Sequence, residues 1–175
     1  MSLSVNDIKS AKTDEQLLKL LSTELVSRLP TRLHKNYDAL IRASRALPSG
    51  LRAMAATHRL DVSISLDDVG WHFYNFHHRA CCDETEWGLR ELGAVEAFEA
   101  FKKARELVEP HWEQIGSLKP SHETFTRWYK TSGLEAVLKP LNEKLWAICS
   151  ELGKYGLMTY WLTYARNNPE QVLKV

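Results

Sequence analysis

The sequence predicts an all-α protein, a single compact multi-helix domain, and three observations carry that prediction. Apolar residues recur at three- and four-residue spacing through nearly every segment, as they do on helices with one buried face. Capping and terminating residues (Thr13, Ser65, Asp83, Gly93, Pro169) punctuate the chain at intervals suited to short helices. No β-hairpin signal, Gly-rich linker or repeat interrupts the pattern. With 175 residues, the chain is about one domain long.

Each element has its own local reason. Thr13-Asp14-Glu15-Gln16 has the capping-box pattern, and behind it Leu17, Leu18, Leu21, Leu25 and Leu29 form one apolar stripe. Pro30 breaks that helix and opens the next, where Leu33, Tyr37, Leu40, Ile41 and Ser44 share a face. Pro48-Ser49-Gly50 reads as a turn before a short helix over 51–59. Ser65 is placed to cap a helix carrying Asp68, Val69, Trp71, Phe73, Tyr74 and Phe76, which should stop near residues 75–78. Asp83-x-x-Glu86 is a second cap signal, so 76–82 reads as mostly loop. Trp87, Leu89 and Leu92 belong to the next helix, closed by Gly93 where a left-handed residue is usual. Residues 94–112 hold the strongest helix, with Ala97, Phe98, Phe101, Ala104 and Val108 inward and Glu96, Glu99, Glu106 and Glu109 outward. After a loop at 116–122, helical patterns resume over 123–130, around 140–151 and over 157–167, ending before Pro169.

Composition narrows the function classes. An apolar share of 44% and a charged share of 26% are ordinary for a globular protein. No apolar run approaches a membrane span, and the start, MSLSVNDIKSAKTDEQ, lacks the apolar core of a secretory signal. Of the three cysteines, Cys81 and Cys82 are adjacent, which argues against a disulfide framework. The expected address is the cytoplasm. The net charge of +1 hides an asymmetry: residues 61–113 carry twelve acids against five bases. The N-terminal bases Arg28, Arg32, Lys35, Arg42, Arg45, Arg52 and Arg59 could touch nucleic acid, but they are spaced as the polar faces of amphipathic helices.

The stretch DDVGWHFYNFHHRACC, residues 67–82, concentrates the reactive side chains. His72, His77, His78, Cys81 and Cys82 are all potential zinc ligands, but like residues are adjacent rather than at the usual Cys-x2–4-Cys or His-x3–5-His spacing. A nucleophilic cysteine needs a stabilised thiolate; Arg79 helps, whereas Asp83, Glu84 and Glu86 oppose it. Asp67-Asp68 suit a helix start as well as acid–base chemistry. No P-loop, dinucleotide fingerprint, Gly-x-Ser-x-Gly or His-Glu-x-x-His is present. No cofactor or metal is expected. The C-terminal group Tyr155, Tyr160, Trp161 and Tyr164 reads chiefly as core, with an interface patch as the alternative.

The same stretch carries a resemblance. Asp68-Val69-Gly70-Trp71-His72-Phe73-Tyr74-Asn75 is similar to the Gly-aromatic-x-aromatic-aromatic-Asn signature of the bacterial DNA-mimic-protein domain family. Leu89-Arg90-Glu91-Leu92-Gly93-Ala94 resembles the Leu-x-x-Ile-Gly-Ala end of that family's following helix. Tyr160-Trp161-Leu162-Thr163-Tyr164-Ala165-Arg166-Asn167-Asn168-Pro169-Glu170 resembles its aromatic-rich helix ending in Arg-x-x-Pro-Glu. The signature residues are Gly70, Trp71, Phe73, Tyr74, Asn75 and Gly93. The likeness spans about residues 45–175, leaving residues 13–46 as an N-terminal helical extension of one all-α domain. Two features depart from the family: Val69-Gly70 replaces its pair of glycines, which leaves a close backbone approach there in question, and the chain is near neutral where founding members are strongly acidic.

The resemblance implies an all-α, non-enzymatic protein-interaction module that blocks a nucleic-acid-binding protein, its carboxylates standing in for phosphates. The interaction surface would comprise Asp67, Asp68, Glu84, Glu91, Glu96, Glu99, Glu106 and Glu109. The alternatives are an immunity protein neutralising a cognate toxin, or a small metal- or thiol-dependent enzyme with its site at His72–Cys82. The expected partner is a protein, with no direct nucleic-acid or membrane binding and with a homodimer as a further option.

Overall fold

A computed structural model of the chain describes residues 3–30, 33 and 36–174; the expected bases Arg32 and Lys35 lie outside them. The described residues are all-α, in one compact domain. The helices are α1 (Val5–Ser10), α2 (Asp14–Arg28), α3 (Tyr37–Arg45), α4 (Ser49–Leu66), α5 (Val69–Asn75), α6 (Arg79–Glu91) and α7 (Val95–Val108). A 3-10 turn, Glu109–His111, leads into α8 (Trp112–Ser117), followed by α9 (His122–Thr131) and α10 (Leu134–Leu152). Gly153–Tyr155 forms a second 3-10 turn before α11 (Met158–Asn167) and α12 (Pro169–Leu173).

Two apolar clusters form the core, and α4 serves both. Its first half sends Leu51, Ala53, Met54 and Ala55 into a cluster with Ile8, Leu17 and Leu21 of α1–α2, Leu40 of α3, and Trp161, Leu162 and Val172 of α11–α12. Its second half sends Leu60 and Ile64 into an aromatic cluster with Phe73 and Tyr74 of α5, Phe101 of α7, and Phe125 and Tyr129 of α9. α6 packs closely on α4, because a side chain on Gly88 would stand only 3.0 Å from the Ala53 carbonyl and the Ala56 methyl. Trp161 donates its indole N–H to Thr57 Oγ1 at 2.9 Å, and the carboxylate of Asp61 receives the Leu157 amide at 2.9 Å, so α11 hangs from α4. Burial pushes Asp61 above the ordinary carboxyl range.

Several local expectations hold. Thr13 accepts from the Gln16 amide, although the Gln16 side chain reaches back to Lys12 rather than Thr13. Gly93 has φ 72° and ends α6 in a Schellman motif, with Ala94 N–H on Leu89 O and Gly93 N–H on Arg90 O. Others are corrected. The helix expected to end at Arg59 runs on to Leu66, so Ser65 lies inside it and Asp68 caps α5 instead. α6 starts at Arg79, which puts Cys81 and Cys82 in its first turn, and Asp83 is an interior residue rather than a cap. α3 begins at Tyr37, capped by Asn36, not at Pro30. The strongest helix stops at Val108 and α8 occupies part of the expected loop. α10 starts at Leu134, with Pro140 inside it, and Pro169 opens α12 rather than ending the chain's helices.

Candidate functional site

α5 is short, and its ends are held by side chains from distant segments. Asp68 accepts the Trp71 amide at 2.9 Å, and Asn142 of α10 accepts the Val69 amide at 2.9 Å. The Tyr129 hydroxyl donates to the second Asp68 oxygen at 3.2 Å. A Cβ at Gly70 would fall on the Tyr129 ring, so the close approach at the signature glycine is made by a tyrosine. At the other end Lys119 Nζ donates to the Tyr74 and Asn75 carbonyls at 2.7 and 3.0 Å, covering orphan acceptors of the helix. Tyr37 donates its hydroxyl to Asn75 O. Phe73 and Tyr74 are buried, stacked on Phe101 and Phe125 at 5.3 and 4.1 Å between ring centroids. Trp71 is half-buried against Phe125 and His122.

The histidines and cysteines of the same stretch point to different surroundings. His72 is fully buried with Nδ1 3.1 Å from Ser63 Oγ. Because that hydroxyl donates to Arg59 O, Nδ1 carries the proton and Nε2 keeps a bare lone pair without a partner among the described residues. Burial lowers the pKa of His72 to about 3, so the ring stays neutral. His77 stacks on Trp112 at 4.2 Å and meets Trp112 O through Nε2 at 2.8 Å. His78 faces Asp38 at 3.2 Å. Cys81 and Cys82 are buried, and burial pushes their thiols up to about 11 and about 12. Thiols with such values are almost wholly protonated at neutral pH, the reverse of what a nucleophile needs. Among the described residues no group of three or more His, Cys, Asp or Glu could hold a metal ion.

The eight carboxylates expected on one surface divide. Asp68 is the buried cap just described, and Glu84 is 5% exposed. Glu84 Oε1 receives Arg45 Nε at 2.7 Å, and Oε2 receives Arg52 Nε at 2.8 Å. Arg52 also stacks over Trp87 at 3.8 Å. Glu91 accepts the Tyr164 hydroxyl at 2.6 Å, and burial, with that carboxylate beside it, pushes the phenol up to about 12. Asp67, Glu96, Glu99, Glu106 and Glu109 are exposed. Around α6 and α7 two arginines each hold two acids: Arg105 bridges Asp83 and Glu86, and Arg79 bridges Glu109 and Glu113. Each group keeps one net negative charge. Glu106 pairs with Lys103, while Glu96 and Glu99 have no ion-pair partner among the described residues.

A family model described as DMP19-like protein matches residues 45–168. The chain belongs to this family. No curated protein matches the chain, and no solved structure does. The matched segment runs from the end of α3 through α11 and contains the family signature helix, both arginine-bridged acid groups and the whole aromatic cluster. Among the described residues no helix is long and apolar enough to cross a membrane.

Several residues that shape the site escaped the sequence reading. Tyr129, Asn142 and Lys119 fix α5 from 44 to 73 residues away, and nothing local marks them. Arg45 and Arg52, read there as parts of polar helix faces, are the partners of Glu84.

Proposed function

We propose that the chain is a non-enzymatic binding module that occupies the nucleic-acid-contacting surface of a partner protein, presenting the exposed acids around α6 and α7 where phosphates would sit. The observation that carries this reading is the pair of arginine-bridged acid groups, with Glu96 and Glu99 of α7 unpaired among the described residues. Guanidinium bridges hold carboxylates in fixed positions without cancelling their sum, and a partner whose basic surface expects regular negative charge gains both speed and selectivity from such an arrangement. Membership of the family supports it. The buried, protonated thiols of Cys81 and Cys82 weigh against a thiol enzyme at His72–Cys82.

An immunity-type inhibitor of a toxin is the second reading. The overall charge of +1 favours it, because a local acidic face suits a small basic active site better than a long duplex-binding groove.

The test is capture from lysate of the native host by immobilised wild-type chain and by the Glu96→Lys/Glu99→Lys double variant, each washed through a salt series. Both positions are exposed, so the fold tolerates the change. A basic nucleic-acid-binding protein or nuclease is expected on the wild type at low salt, released as salt rises, and missing from the variant. Identical captures by both chains would remove the acidic face from the account.

A further inference from the structure

A groove between α2, α3 and α4 has no part in the reading above. It encloses about 330 Å³, within the usual range for small-molecule sites of roughly 300–1,000 Å³. Leu25, Val26, Leu29, Leu40, Phe76 and Trp161 line it, together with the exposed His58. Val26 at its edge is 64% exposed, an apolar side chain left uncovered by the fold.

Arg59 of α4 also lines this groove. Its guanidinium carbon lies 5.5 Å from the Phe76 ring centroid and 6.0 Å from that of Tyr37. Those rings present their faces to the cation, whose N–H groups form a planar fork. Among the described residues neither a carboxylate nor any hydrogen-bond acceptor meets that fork; its neighbours are Cys81, Tyr37 and Phe76. Glu84 lines the small void on the other side of Arg59, but both its oxygens are already taken by Arg45 and Arg52. Burial holds the guanidinium below its ordinary pKa, as expected for a cation that has lost water without gaining an anion.

We propose that this groove binds a small organic acid, its carboxylate on the N–H fork of Arg59 and its apolar body along Leu25, Leu29 and Trp161. The fork matches a carboxylate bidentately, and most of the lining around it is apolar. A neutral molecule of the same shape satisfies the walls and leaves the fork empty, so the site distinguishes acids from alcohols.

Isothermal titration of the full chain with octanoate and with 1-octanol tests this. Octanoate should bind at least about tenfold more tightly than octanol, the scale of one charged, bidentate contact. Arg59→Met should remove that advantage and leave octanol binding unchanged. Val26→Glu, at an exposed position, should weaken octanoate several-fold by setting a like charge at the mouth. Absent octanoate binding, or binding no tighter than that of octanol, overturns the proposal. So does undiminished octanoate binding by a folded Arg59→Met chain. Should that chain not fold, undiminished binding by Val26→Glu does the same.

Discussion

Arg52 and Arg59 stand two turns apart on the same helix, and among the described residues only Arg52 has a carboxylate. Arg52 meets Glu84 through two hydrogen bonds, at 2.8 and 3.0 Å, and lies over Trp87. Arg59 stands over the Tyr37 and Phe76 rings and has no hydrogen-bond or ion-pair partner for its guanidinium among the described residues. The difference shows which charge the fold depends on. At Glu84 two guanidiniums and one buried carboxylate tie α3, α4 and α6 together. At Arg59 no carboxylate among the described residues answers the cation, which is why the groove beside it is proposed to take an acid.

Glu84→Ala leaves Arg45 and Arg52 facing one another over a void, and should cost about 3 kcal/mol of stability in urea unfolding. A loss below about 1 kcal/mol would mean that the bridge at Glu84 contributes little.

His72, packed beneath the same helix, offers a smaller effect and a third way to house an ionisable group. The folded chain keeps it neutral down to about pH 3, whereas in the unfolded chain it takes a proton near the ordinary value of about 6.5. Protons therefore favour unfolding across this window. Its contribution is fully present above pH 6.5 and drains away as pH falls, by about 2 kcal/mol at pH 5. Stability curves of wild type and His72→Phe at pH 7 and pH 5 check it. The phenyl variant should lose less on acidification; parallel losses would assign the pH dependence to other groups.

Arg59→Met should have the smallest effect. Removing an unpaired cation while keeping its apolar stem should leave stability within about 1 kcal/mol of wild type. A loss above about 2 kcal/mol would show that Arg59 belongs with Arg52 as a structural residue, and would erase the contrast.

Much of the fold was legible because it is written in local pattern. The stripe Ala97, Phe101, Ala104 and Val108 is buried as its spacing requires, and Gly93 ends its helix where a left-handed residue was expected. What failed was decided at a distance. α4 runs past Arg59 because Leu60 and Ile64 have an aromatic cluster to enter, and because Trp146 donates to the Ile64 and Asp67 carbonyls at its end. α6 starts without a side-chain cap; its docking on α4 through Gly88 and Thr85 holds it in place instead. The acidic surface was only half legible for a related reason. Periodicity places a carboxylate on a helix, but it cannot say that Glu84 will meet arginines 32 and 39 residues away and turn inward.

The position of α4 across both apolar clusters has a consequence for any shortened form of this chain. The segment matched by the family begins at residue 45, yet Leu51, Met54, Trp161 and Leu162 are covered partly by Ile8, Leu17, Leu21 and Leu40. Trimmed to the matched segment, the molecule would carry an oily flank along α4. A relative lacking the first three helices must roof that flank with something else: another stretch of its own chain, a bound neighbour, or a rewritten set of side chains. The matched segment is thus, in this chain, a body whose core is closed partly by residues outside it.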